Sequence, residues 1–202
     1  MIMKKIMFND KYGLTQAVLD GRKAVTRRVI HAENIPDDPE YGYDPNIDAC
    51  CVFNEDDVVA KSQYNLVEVV AIAQAYKDIY NDAYHIGLYG RTAGWTNKMY
   101  VAAYRMPHHI KITKIRVERL QDISDEDCLR EGVVKNTIGY YVEGLKCNDW
   151  EKESHIEMEN GETLKLFPTP REAFAALIDK VSGKGTWGSN PLVWVYEFEL
   201  VD

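Results

Sequence analysis

The sequence predicts an α+β fold in which strands of unequal spacing and three short helices build one domain, with a small β-barrel as the natural way to remove the sheet's edges. Strand-like segments recur at different intervals along the chain, and the helical stripes between them are short. The last such segment, Leu192, Trp194, Tyr196, Phe198 and Leu200, alternates with Val193, Val195, Glu197 and Glu199, the period of a strand with one buried face.

Ile6-Met7-Phe8 reads as a first strand, and Asn9 or Asp10 can cap the helix after it. Leu14, Ala17 and Val18 share one face of that helix, and Gly21 ends it. Val25 to Ile30 is a second strand, on which Arg27 and Arg28 point to opposite faces. Residues 31–60 read as an insertion, acidic and aperiodic, where Pro39 and Pro45 argue against a long helix or a central strand. Val67 to Tyr76 is β-branched enough for a buried strand, and residues 77–105 form a second insertion, a long loop or small subdomain. Ile110 to Leu120 is the clearest long strand. Ile110 and Ile112 share a face while Ile115 and Val117 continue on the other, a phase slip that predicts a β-bulge near Thr113-Lys114. Ser124 caps a short acidic helix that Gly132 ends. Residues 135–165 form a hairpin or third insertion with a turn at Asn160-Gly161. Thr169-Pro170-Arg171-Glu172 has the pattern of a capping box, and Phe174, Leu177, Ile178 and Val181 are the apolar stripe of the helix it opens.

The chain has 202 residues, 46% of them hydrophobic, enough for one domain with its own core. No apolar run approaches the roughly 20 residues that span a bilayer, and the N-terminus lacks the apolar stretch and cleavage site of a signal peptide. Both point to a cytoplasmic protein without a membrane partner. Cys50, Cys51, Cys128 and Cys147 lack C-x-x-C spacing, and the adjacent His108 and His109 would face opposite ways on a strand, so neither a metal nor another cofactor is expected. The net charge of −8 argues against non-specific binding to nucleic acid. Charge is segregated, however: residues 1–30 carry seven bases against two acids and residues 61–120 nine against four, whereas 31–60 and 121–202 are acidic. If the two basic blocks meet in space they make a positive face; otherwise the charges form a solvated mixture.

The densest chemistry lies after the first helix, in Gly21-Arg22-Lys23-Ala24-Val25-Thr26-Arg27-Arg28. Like charge around Lys23 lowers its pKa toward that of a general base, and a threonine hydroxyl becomes a nucleophile only when such a base takes its proton. Equally, the turn can be an exposed basic segment that binds phosphate or stays solvated.

This segment resembles the signature of ASCH domains, small barrels related to the PUA fold of RNA-modifying proteins, with Ala24 where the family's first threonine stands. Tyr64 to Val70 resembles the family's strand entry, with Val67-Glu68 in place of Gly-Asp. Arg116 to Gly132 resembles its long strand and short helix, and Trp187 with Asn190 to Phe198 resembles the closing strand of the longer phage and prophage members. The resemblance implies a PUA-like barrel with a cleft for a modified nucleobase, a nucleoside or RNA. Some small members hydrolyse the acyl amide of N4-acetylcytidine, which implies Lys23 as proton acceptor, Thr26 as nucleophile and Glu131 as proton donor. The alternatives are a non-catalytic RNA-binding module, with Arg22, Arg27 and Arg28 on phosphates, and a phage-associated accessory protein. At the end of the second core strand the longer members carry an arginine-glutamate pair; here the residues are Ala73-Gln74, and Gln74 is left to hydrogen-bond a base edge or amide. His108 at a barrel rim and Trp187 near the last strand complete the candidate binding residues.

Overall fold

The computed structural model describes residues 3–36 and 39–201; Met1 and Ile2 of the N-terminal segment, and Asp37 and Asp38 of the acidic stretch, lie outside it. In chain order the strands are β1 (Lys5–Ile6), β2 (Val25–Val29), β3 (Glu40–Asp44), β4 (Ala49–Asn54), β5 (Asp57–Lys61), β6 (Val69–Ile72), β7 (His109–Arg119), β8 (Val134–Asn136), β9 (Gly139–Tyr141), β10 (His155–Glu157), β11 (Thr163–Lys165) and β12 (Leu192–Leu200). The α-helices are α1 (Leu14–Leu19), α2 (Tyr76–Ile79), α3 (Ala83–Tyr89), α4 (Asp125–Arg130), α5 (Pro170–Val181) and α6 (Thr186–Ser189).

The central sheet has five strands in the order β1-β6-β7-β12-β2. Only β1 and β6 run parallel; the other neighbours are antiparallel. The α+β class therefore holds, but the expected barrel is not closed. β1 is two residues long, and the chain leaves it for a 3-10 turn at Asp10–Tyr12, where the Asn9 side chain accepts from Lys11 N at 3.1 Å. The backbone is thus committed to a turn where a barrel needs its ladder to continue. The Arg28 guanidinium of β2 instead donates to the Met7 carbonyl at 2.6 Å, so the two edges meet through a side chain.

The phase slip in β7 is a real bulge. Lys114 lies opposite Glu197 and Ile112 opposite Phe198, leaving Thr113 as the extra residue. This keeps Ile110 and Ile112 fully buried in the core while Val117 joins it from the opposite phase. β12 departs from the one-faced strand expected. From Leu192 to Tyr196 both faces are buried, because β12 lies between β7 and β2 and the core wraps around it. Phe174, Leu177 and Ile178 of α5 belong to that same core. Ser124 and Thr169 cap α4 and α5 as expected, accepting from Asp127 N and Glu172 N.

The three insertions are more regular than their composition suggests. Residues 31–60 fold largely as the antiparallel sheet β3-β4-β5, in which Pro39 and Pro45 bracket the edge strand β3. Residues 77–105 contain α3 and three 3-10 turns over a small second core of Ala71, Ala73, Tyr76, Val101 and Met106. Residues 135–165 take part in two hairpins, β8-β9 and β10-β11, and Asn160-Gly161 sits in the turn of the second. Among the described residues no helix is long and apolar enough to cross a membrane.

Candidate functional site

Lys23 is the second residue after Gly21, whose left-handed backbone (φ +72°) turns the chain out of α1. The backbone N–H of Lys23 donates back to Ala17 O at 2.8 Å, and that of Ala24 donates to Arg130 O at 3.0 Å. These bonds fix the turn against the end of α4, and the Lys23 side chain enters the protein rather than the solvent; the residue is 2% exposed.

Three oxygens surround its ammonium: Val25 O at 2.8 Å, Glu131 O at 2.9 Å and Glu131 Oε2 at 2.5 Å. An ammonium has three protons to donate, so the three acceptors satisfy it fully. Burial lowers the Lys23 pKa from its ordinary value, Glu131 opposes that shift, and the charges of Arg28 and Arg27 reinforce it. Glu131 is the C-cap of α4, and Gly132 follows with φ +110°. A Cβ at Gly132 would stand 2.9 Å from Leu14 Cδ2 and 4.0 Å from Lys23 Cδ, so glycine is also what lets α1 and the lysine stem approach this closely.

Lys23, Thr26 and Glu131 line one cavity of about 50 Å³. Its apolar wall comes from Phe8, Leu14 and the α5 residues Phe174, Leu177 and Ile178. That volume holds a few water molecules or a small acyl group. Thr26 is 3% exposed, and its hydroxyl makes no hydrogen bond to any described residue. β2 pairs only with β12, so its outer edge is open at the site, and the Val25 carbonyl on that edge is one of the oxygens that hold Lys23.

Arg27 has a different part from the one expected. It is buried, and its guanidinium donates to Glu131 Oε1 at 3.2 Å, to Glu118 Oε1 at 2.6 and 2.9 Å, and to Asp127 Oδ2 at 2.8 Å. It is therefore not presented to a phosphate backbone. Arg28 is half-buried beside the same cavity, with its guanidinium 5.9 Å from the Phe8 ring centre. Arg22 is exposed and pairs with Asp20 and Glu143. Arg22 and Arg27 of the first basic block thus meet acids here, Asp20 and Glu118 within the basic blocks and Asp127, Glu131 and Glu143 in the last acidic one, instead of standing as free positive charges.

Reading the residues one by one misses most of this network. Asp127 Oδ2 also accepts from Arg116 at 2.6 Å, Asp127 Oδ1 accepts from Arg130 at 3.0 Å, and Glu197 pairs with both Arg116 and Arg130. Two signals were present: Lys114, Arg116 and Glu118 at strand period, and Asp127, Arg130 and Glu131 at helical spacing. Gln74 and His108 are brought together, but in another cleft with Asp10 and Thr15. Trp187 lies behind the cavity wall, its ring edge-on to Phe174 at 6.1 Å with the Arg171 guanidinium 5.6 Å from its centre. All four cysteines are free thiols, and no three His, Cys, Asp or Glu side chains among the described residues are grouped to hold a metal. Comparison with protein-family models, with curated proteins and with solved structures finds no match to this chain.

Proposed function

We propose that the chain is an amidohydrolase of the ASCH type, removing the acyl group from a small N-acylated nucleoside such as N4-acetylcytidine. The observation that carries this is the convergence of Lys23, Thr26 and Glu131 on one cavity, with Lys23 Nζ 2.5 Å from Glu131 Oε2. In the resting ion pair the lysine holds the proton and cannot act as a base. Transfer of one proton along this contact leaves a neutral amine and a carboxylic acid, and burial of the lysine favours that step. The amine then takes the Thr26 proton while Oγ attacks the acyl carbonyl. Glu131 protonates the departing amine, which restores the ammonium and the carboxylate. Water cleaves the acyl-threonine ester and returns the hydroxyl its proton. The cavity matches the acyl group in size, and Asn9, Arg28 and Ser182 are polar residues of its lining left to meet the nucleoside.

A role for this turn in binding RNA phosphates has less support, because Lys23 and Arg27 are buried and neutralised. Incubation of the protein with N4-acetylcytidine, read as release of cytidine and acetate, tests the proposal. Turnover that Thr26→Val abolishes supports it; no turnover by the wild type, or equal turnover by that variant, overturns it.

A further inference from the structure

The segment from Phe8 to Thr15 is a wall shared by two hollows. Phe8, Asn9 and Leu14 face the Lys23 cavity, while Asp10, Gly13 and Thr15 line a separate cleft of about 520 Å³. The cleft is completed by Gln74 after β6, Lys77 and Asp78 of α2, and His108 before β7. Its volume is that of a small-molecule site, ten times that of the catalytic cavity.

Gln74 is the unusual member. It is 7% exposed, and its Oε1 is fully buried without any hydrogen-bond partner, the one such side-chain atom among the described residues. Its backbone N–H is accounted for, since it donates to Met106 Sδ at 3.3 Å. The amide is not. A buried, unpaired amide oxygen is a standing cost to the fold, and leucine or methionine fills the same space without it. Rotation of the last torsion exchanges the oxygen and the NH2, so Gln74 can offer the cleft either an acceptor or a donor. A ligand with a donor and an acceptor side by side, as on nucleobase edges, meets whichever end that rotation presents. The rim charges offset one another: Asp10 is paired with Lys98 at 2.7 Å, and Asp78 lies one residue from the exposed Lys77, which has no ion-pair partner among the described residues. That balance favours a neutral molecule.

We infer that this cleft is a second binding site, for a neutral nucleobase or nucleoside held by the Gln74 amide, independent of hydrolysis at Lys23. The test is calorimetric titration of the full chain with uridine, cytidine and adenosine, and with nicotinamide as a carboxamide that lacks a nucleobase. The expected result is saturable binding of at least one nucleoside, weakened tenfold or more by Gln74→Leu, with a rise of a few degrees in the melting temperature of that variant. Thr96→Trp, which fills the cleft from its exposed rim, gives the same loss and decides the matter if Gln74→Leu does not fold. Thr26→Val, in the other cavity, leaves binding unchanged whether or not the protein hydrolyses amides. Absence of nucleoside binding, binding of nicotinamide alone, or binding that survives both cleft variants overturns the inference.

Discussion

Lys23 Nζ is held by both ends of one residue, 2.5 Å from Glu131 Oε2 and 2.9 Å from Glu131 O. The pair therefore has a structural part whatever its chemistry, and the two must be separated by experiment. Glu131→Gln leaves the buried ammonium without a charge partner and is expected to cost about 3–5 kcal/mol of stability. Thr26→Val removes a hydroxyl that has no partner among the described residues, so its cost stays within about 1 kcal/mol. Urea unfolding of both variants beside their turnover of N4-acetylcytidine checks this. A nucleophilic Thr26 loses on the order of a thousandfold or more in rate while the fold is retained.

Arg27 gives a sharper contrast between binding and architecture. Its guanidinium spans three carboxylates, from Glu118, Asp127 and Glu131, a fork that the point charge of lysine cannot reproduce. Arg27→Lys is expected to lower stability by about 2–4 kcal/mol. A residue that served only to contact phosphate would tolerate that change with no effect on unfolding.

How far the sequence was legible follows from what kind of information each feature needs. Caps at Ser124 and Thr169 and the bulge at Thr113 are local, and they stood in the residue pattern. The open sheet was not legible, because whether β1 and β2 close a ring depends on where the chain turns after Ile6, and alternation says nothing of that. The Lys23, Thr26 and Glu131 set could be named only through a resemblance, since 108 residues separate the lysine from the carboxylate that it meets. Arg27 was misplaced for a simpler reason: four bases in a turn look exposed until their acids, far along the chain, are located.

The carboxylates around Arg27 set the acid limit of the fold. Burial alone would raise the Asp127 pKa, but the hydrogen bond and charge of Arg27, with the charges of Arg116 and Arg130, hold it below its ordinary value. Glu197 is likewise lowered, burial being outweighed by the Arg130 hydrogen bond and the charges of Arg116, Arg130 and Lys114. A carboxylate whose folded pKa is depressed contributes stability that is fully present above its unfolded value, about 4, and is lost as pH falls through the folded one. Stability is therefore expected to drop from about pH 5 downward. Asp127→Asn is less stable at neutral pH but loses less on acidification. Denaturant midpoints of both proteins between pH 3 and 7 read the difference, and parallel curves would refute it.

Val67 is a β-branched residue in the left-handed region, with φ +65°. The conformation is imposed from both sides. Val67 N donates to Ile112 O at 2.9 Å, and the next residue, Glu68, accepts from Asn65 N at 2.8 Å and pairs with Lys4 at 3.0 Å. The side chain recovers little in return, since the residue is 60% exposed. Left-handed backbone costs a non-glycine residue about 1–2 kcal/mol, and glycine returns roughly 0.4–1 kcal/mol of that through the greater freedom of its unfolded chain. The difference favours the substitution: Val67→Gly is expected to stabilise the protein by about 0.5–1 kcal/mol, seen as a higher urea midpoint at unchanged slope. A lower midpoint would mean that the exposed valine makes contacts outweighing the strain.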